Sequence, residues 1–288
     1  MEKLVELREG LETKREELEL DFLGVAPTDR FKNAPKSHRP TDLLPATRSV
    51  IAVGLKIAEG VCEANHRAFE EEGLRHEIYS YEMHGYVSMN DKLNESVRSL
   101  ASWLERRGHK SLPIPASSPK DGLKLMGTLS NRHAAVTAGL AEFGWQGLAV
   151  TEEAGPRVRW ATVLTEASLP EDQLSEEGLC QDCRRCAEVC PVGAIPLEES
   201  VELEIDGKSY NYSALNKWLC LTGTSGWNTK TGREEEKLNL PPSPEAEDYL
   251  QALREESYWG KSERVGSMCG RCIIECPIGE PSYLNLST

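Results

Sequence analysis

Cys180-Gln-Asp-Cys-Arg-Arg-Cys-Ala-Glu-Val-Cys-Pro191 places four thiols within eleven residues and closes them with a proline. Three thiols at Cys-x-x-Cys-x-x-Cys spacing reach three corners of one iron-sulfur cube, because each short loop returns the next sulfur to the same face. A fourth, three residues on and fixed before proline, points away and serves the other cube of a two-cluster ferredoxin. Cys180, Cys183 and Cys186 therefore need a partner from elsewhere, and Cys190 belongs to a second site. Far downstream, Cys269-Gly-Arg-Cys-Ile-Ile-Glu-Cys-Pro277 supplies three more thiols. By the same crossover Cys276 completes the first cube, which leaves Cys190, Cys269 and Cys272 one ligand short. Cys220, in Trp218-Leu-Cys-Leu-Thr222, is the candidate. Zinc is the competing reading, but structural zinc takes paired thiols from two knuckles, and three thiols at two-residue gaps fit that poorly.

The rest of the chain bounds what such clusters could serve. It has 288 residues, 39% of them hydrophobic, enough for one large or two modest domains. The net charge of -14 argues against a nucleic-acid partner, since phosphate binding rests on Lys and Arg. The apolar run Ser49 to Ala58 is too short to span a bilayer, and the first twenty residues lack a signal-peptide core, so a cytoplasmic protein without a membrane partner is expected. In a reducing compartment cysteines read as metal ligands before disulfides. Cys62, outside both groups, reads as a buried structural thiol.

Residues 2 to 20 carry a charged helical pattern, and Phe22 to Ala26 and Ser49 to Ala58 read as short buried strands about a Pro-rich loop. A long helix is expected from Ile78 to Arg107. After it come an extended Leu112 to Pro115, a helix from Asn131 to Phe143, and strands at Leu148 to Thr151 and Val158 to Thr165. This alternation points to an α/β domain over residues 1–174, followed by a cysteine-rich domain over residues 175–288, an α+β protein as a whole. Within the second part, Val201 to Tyr212 reads as a hairpin turning at Asp206-Gly207, Ser213 as the cap of a helix running to Cys220, and Glu245 to Tyr258 as a further helix. There is no Gly-x-Gly-x-x-Gly after a strand and no phosphate loop.

Four stretches in this order, Ala138-Gly-Leu-Ala-Glu-Phe-Gly-Trp-Gln-Gly-Leu-Ala-Val-Thr151, the first cysteine run, Cys220-Leu-Thr222 and the second cysteine run, carry a resemblance. The chain resembles the epoxyqueuosine reductase and reductive dehalogenase superfamily. That resemblance implies a nitroreductase-like domain binding base-off cobalamin, a C-terminal ferredoxin-like domain with two 4Fe-4S clusters, and an isolated cysteine completing the second. Electrons would come from an external low-potential donor of ferredoxin or flavodoxin type. They would pass through the clusters to cobalamin and on to a small-molecule substrate, or to a partner corrinoid protein if the chain only transfers electrons. The family's Gly-Lys-Asn segment maps onto Gly144, Trp145 and Gln146, its serine after the isolated cysteine onto Thr222, and its Asp-Tyr-His motif near His84. These are the implied cobalamin contacts, with Arg157 and Arg159 as cations for the cofactor's polar side chains or for an acidic substrate.

The departures bear on the substrate. The family's proton-donating Asp falls on Leu125, its Lys on Trp145 and a Glu on Asn131, and only the residues from Pro277 to Thr288 follow Cys276. A tRNA substrate is therefore not expected. Any proton donor is sought at Asn131-Arg132-His133 and among Tyr79, Tyr81, His84 and Tyr86, with His133 and Tyr81 as the leading candidates.

Overall fold

The central sheet is built from four strands drawn from between residues 22 and 165, and every pairing in it is antiparallel. The structure, a computed structural model, describes residues 2–70, 75–117, 119–176, 178–224, 240–255 and 269–285. Helix α1 (Glu2–Glu17) leads into β1 (Phe22–Pro27), and after the short α2 (Pro40–Leu43) comes β2 (Ser49–Lys56). Helices α3 (Glu59–Glu70), α4 (Arg75–Glu82) and α5 (Ser88–Glu105) precede β3 (Ser111–Ile114) and a hairpin of β4 (Pro119–Asp121) and β5 (Met126–Gly127). Helix α6 (Asn131–Thr137), a hairpin of β6 (Glu142–Phe143) and β7 (Ala149–Val150), and β8 (Val158–Thr165) complete this part.

Strand β2 is buried at every residue but its last, so it reads as a continuous apolar run rather than an alternating one. The reason is that both faces are covered. Ile51 and Val53 pack with Leu93, Leu100 and Leu104 of α5 and with Leu11 of α1. Val50 and Ala52 pack with Ala134 and Ala138 of the α6 segment. Because the strands pair antiparallel, the helix-strand alternation does not mark parallel βαβ units, and the mixed α+β class is the one observed.

The expected helix from Ile78 to Arg107 is two helices joined by a π turn at Met83–Val87. The helix expected from Asn131 to Phe143 ends at Thr137, where Gly139 takes a φ of 72° and Leu140 N–H returns to the Ala135 carbonyl, a glycine C-cap. Helix α3 had no counterpart among the expectations.

The remainder contains α7 (Arg185–Glu188), the hairpin of β9 (Ser200–Ile205) and β10 (Lys208–Ser213), α8 (Lys217–Thr224), α9 (Ala246–Glu255) and α10 (Arg271–Ile274). The hairpin turns at Asp206-Gly207 as its sequence indicates. Helix α8 is capped by Asn216, whose Oδ1 accepts from the N–H groups of Trp218 and Leu219 at 3.0 Å, and not by Ser213, which ends β10. The last three residues of the helix expected to reach Tyr258 lie outside the described residues. The second cysteine run lies backbone to backbone against the turn before β8. A Cβ on Gly155 would stand 2.2 Å from the Ile278 carbonyl oxygen, and one on Gly279 2.7 Å from the Ala154 carbonyl carbon, so both positions admit only glycine.

Candidate functional site

The two cysteine runs fold as matching knuckles. Cys183-Arg184-Arg185-Cys186 and Cys269-Gly270-Arg271-Cys272 each pass through a left-handed residue, Arg184 at φ 59° and Gly270 at φ 64°, and then start a short helix, α7 and α10. Gly270 is required, because a Cβ there would meet the Tyr81 ring at 2.6 Å. Arg184 has room and lays its guanidinium 3.2 Å over the Trp145 ring. The second arginines of the two knuckles converge on one carboxylate. Glu275, 2% exposed, is held by Arg185 and Arg271 at 2.9 Å and by His66 Nδ1 at 2.6 Å. Burial alone would raise its carboxyl. The hydrogen bond from Arg185 and the charges of Arg271 and His66 outweigh burial and hold it below the usual carboxylate range.

The thiols gather in two foursomes. Cys186 is pushed up to about 12 by burial and then by the neighbouring Cys180, Cys276 and Cys183. Cys276 is pushed up to about 11 by burial, with Cys180 and Cys183 adding to it. Burial likewise raises Cys220 to about 11 and Cys269 to about 12, Cys190 acting on both. Cys272 is raised by burial and then by Cys220, Cys269 and Cys190, with a lesser effect from Cys186 of the other group. Among the described residues no three His, Cys, Asp or Glu side chains converge on a point that one metal ion could fill.

Backbone donors complete the fit to iron-sulfur groups. Trp145 N–H points at Cys180 Sγ at 3.3 Å and Ala194 N–H at Cys190 Sγ at 3.2 Å, and both sets pack on an apolar patch containing Trp145 and Ile195. The first set borders a cavity of about 610 Å³ shared with Gln146, Arg184 and Glu280, where Cys183 is exposed. The second adjoins a cleft of two lobes, of about 550 and 360 Å³, that share Leu125, Leu129, Ser130 and Arg132. Cys220 lines the larger lobe, and Ile273, next to Cys272, lines the smaller. Volumes of this size are ordinary for small-molecule sites.

The cleft holds some of the residues the sequence pointed to. His133 lines the larger lobe with Nδ1 2.6 Å from Ser130 Oγ and Nε2 3.4 Å from Tyr212 Oη, its ring 4.8 Å from that of Phe143. Burial, then the charge of Arg132, push it down to about 3, so it is a neutral imidazole at ordinary pH. Asn131 donates to the Pro115 carbonyl at 2.8 Å and accepts from Thr162, a structural role at the lobe's edge. Leu125, where the resemblance places an acid, lines both lobes at φ 48°. Arg159 lines the smaller lobe, stacked 4.2 Å over Tyr86 and bonded to Asn90 Oδ1 at 2.9 Å.

Other candidates stand elsewhere. Tyr81 is 4% exposed, faces Gly270 and lines neither lobe; burial raises its phenol far up, so it keeps its proton. His84 is exposed in the π turn, outside the cleft walls, and Tyr79 is exposed as well. Gly144, Trp145 and Gln146 form the buried turn of the β6–β7 hairpin beside the first foursome, Trp145 Nε1 donating to the Pro196 carbonyl at 2.9 Å. Gln146 Nε2 has no hydrogen-bond partner among the described residues. Arg157, 5% exposed, donates to the carbonyls of Cys276 at 2.8 Å and Ile273 at 3.4 Å and to that of Ile278. Thr222 Oγ1 donates to the Leu219 carbonyl at 2.7 Å. Cys62 is fully buried, its thiol pushed up to about 12 by burial, in keeping with an inert core residue. Tyr212 and Lys217, which the sequence did not single out, line the larger lobe.

Comparisons with known proteins place these features. A family model described as a 4Fe-4S binding domain matches residues 175–195. Tetrachloroethene reductive dehalogenase of Dehalobacter restrictus is 43% identical over 146 residues, 49% of this chain and 21% of that protein. The Sulfurospirillum multivorans enzyme of the same name is 29% identical over 147 residues, 50% of this chain and 22% of that protein. The match thus spans about a fifth of the curated relatives' length. Among solved structures, an epoxyqueuosine reductase bound to a tRNA-Tyr stem loop superposes with a TM-score of 0.52 at 18% identity, over 99% of this chain and 83% of that one. A reductive dehalogenase does so with a TM-score of 0.52 at 15% identity, over 94% and 32%. No helix among the described residues is long and apolar enough to cross a membrane. The chain therefore has the fold of the epoxyqueuosine reductases and reductive dehalogenases, a 4Fe-4S binding domain at residues 175–195, and over about half its length a sequence similar to tetrachloroethene reductive dehalogenases, the resemblance that its cysteine spacing and the order of its motifs led one to expect.

Proposed function

We propose that this chain is an iron-sulfur, cobalamin-dependent reductase acting on a small molecule other than tRNA. Cys180, Cys183, Cys186 and Cys276 would ligate one 4Fe-4S cluster and Cys190, Cys220, Cys269 and Cys272 the other, residues 1–174 forming the cofactor-binding domain and 175–288 the ferredoxin-like one. The observation that carries the reading is the position of the second foursome. It shares an apolar patch with the first, which borders a cavity open to solvent, and its Cys220 forms part of the wall of the larger lobe. Electrons from an external low-potential donor would thus come in at the first cluster and leave through the second into the cleft.

The cleft suits a corrin held without a histidine beneath it: His133 has both ring nitrogens engaged and His38 Nδ1 lies 2.8 Å from the Gly127 carbonyl. When bound there base-off, cobalamin supplies a reduced cobalt that acts as nucleophile and reductant. Leu125, Leu129 and Trp160 exclude water from the lobes. Tyr212 Oη is the hydroxyl placed to hold a proton at the larger lobe, with neutral His133 Nε2 3.4 Å from it. A second reading, an electron-transfer protein that binds cobalamin or activates a partner corrinoid protein without a substrate of its own, is favoured by one observation: the position of the family acid is the apolar Leu125.

Anaerobic reconstitution with iron, sulfide and cobalamin, followed by visible spectra and cobalt EPR, tests the first step. A base-off Co(II) signal is expected, and failure to take up any corrinoid would sink the reductase reading. Cys220→Ala should lower iron from about eight toward about four per chain; two intact clusters would refute the ligand assignment. Turnover of organohalides or epoxides separates the enzyme from the electron carrier.

A further inference from the structure

Two cationic side chains in the wall of the larger lobe, Arg132 and Lys217, make no ion pair among the described residues. Arg30, at one side of its wall, shows how a structural arginine is satisfied here: it donates to the Thr137 and Asp172 carbonyls at 2.8 Å and pairs with Asp206 at 3.2 Å. Arg132 differs. It stands on the wall common to both lobes and has neither hydrogen bond nor ion pair among the described residues. The groups that favour its charge are Tyr212 and Cys220, and burial pulls its pKa down. Lys217 faces the same lobe, with only the Lys124 carbonyl near its ammonium, at 3.4 Å. Burial, then the charge of Arg132, lower its pKa.

Half-buried Arg132 and the more exposed Lys217 line one cavity and repel each other, a cost that an anion between them would relieve. Glu204 is the one carboxylate residue in the wall, exposed on β9, and it contributes to neither shift. The remaining wall is largely apolar, with Phe31, Leu129, Leu203 and Leu215.

We propose that this lobe is an anion subsite, in which Arg132 and Lys217 hold a carboxylate or phosphate carried on an otherwise apolar organic body. As the substrate class of the reductase it rests on the reading above; as a binding site it does not. The same chemistry has two sources, an anionic substrate or the phosphate of cobalamin's own nucleotide tail, and the experiment separates them.

The cluster-loaded full chain is titrated anaerobically with benzoate and with benzamide, its neutral isostere. Benzoate is expected to bind at least about tenfold tighter, as charge-assisted bonds to a cation require. Lys217→Gln should abolish that preference with iron content unchanged, and Arg132→Lys, which keeps the charge, should retain part of it. In the second arm cobalamin is compared with cobinamide, which lacks the nucleotide and its phosphate. If cobalamin displaces benzoate and Lys217→Gln weakens cobalamin but not cobinamide, the anion is the cofactor's. If benzoate still binds selectively to the cobalamin-loaded protein, the anion is the substrate's. Benzoate selectivity without uptake of either corrinoid would uphold the subsite and remove the reductase reading. If charge makes no difference in either arm, the proposal is overturned.

Discussion

Replacing Glu275 with glutamine removes one charge from the junction of the two cysteine knuckles while keeping its shape. The carboxylate is 2% exposed and answers Arg271, whose side chain is 7% exposed, His66 at 17%, and Arg185 at 48%. Arg185 is half in water and loses little on release. Arg271 would lose a carboxylate at 2.9 Å and keep its other contacts, the His66 carbonyl at 3.5 Å and the Phe69 ring at 4.7 Å among them. Stripping one partner from a buried pair costs about 3–5 kcal/mol, and the contacts that Arg271 keeps place this site near 3. In a chain of 288 residues that corresponds to a fall in melting temperature of about 6 °C. Thermal unfolding of Glu275→Gln followed by near-ultraviolet circular dichroism measures it, at matched iron content and scan rate. The double variant Glu275→Leu/Arg271→Met should recover most of the loss, because the buried pair is then removed whole. A single variant within about 1 kcal/mol of the parent, or a double variant no better than the single, would show that the network is ornamental.

Arg157→Met leaves three backbone carbonyls of the second cysteine run without their donor, at about 1–3 kcal/mol each when no water replaces it. One cluster's worth of iron should be lost first; unchanged iron with weakened corrinoid binding would restore Arg157 to the cofactor contacts. Gln146→Leu should lower the midpoint potential of one cluster in an EPR-monitored redox titration and leave the other alone, since an amide donor near cluster sulfur stabilises the reduced state; two unmoved potentials would show that its Nε2 faces no sulfur. His133 should stay neutral from pH 8 to about 4 by NMR of its ring protons, because its folded pKa is near 3. The unfolded chain takes up this proton near 6.5 and the folded one does not, so its contribution to stability is full above 6.5 and declines as pH falls below it. A ring that titrates above pH 5 would contradict the geometry around Ser130 and Tyr212.

What the sequence disclosed follows from what is local in it. The two cysteine runs were legible as matching knuckles because a loop of two residues between thiols has few conformations. The strands at Ser49 and Val158 were legible because sandwiched strands read as unbroken apolar runs. Helix α3 was hard to read, since its buried face is made by Cys62, Asn65, Ala68 and Phe69, a polar residue and two small ones beside a single large apolar ring. Trp145 was placed as a cofactor contact by its position in a family motif and Arg157 by its alternation with Arg159 on a strand, but their bonds run to residues that only the fold brings close. The pairing of Arg132 with Lys217 and Tyr212 joins a helix, a hairpin and a further helix across some eighty positions of sequence, beyond the reach of any periodicity.

The interlocking of the two foursomes sets a timetable for the chain's synthesis. Cys186 emerges from the ribosome long before Cys276, its companion, and Cys190 waits in the same way for Cys269 and Cys272. Neither set could close around a cofactor before Cys269 to Cys276 have been made, and each closure would span a long loop of intervening chain. Once one set closes, the knuckle carrying it drags the other set's missing members into place, so the second should form far more readily than the first. The protein is therefore expected to be found with both groups or with neither, and a cell short of iron or sulfide would hold a mixture of complete and empty chains in place of a population of half-built ones.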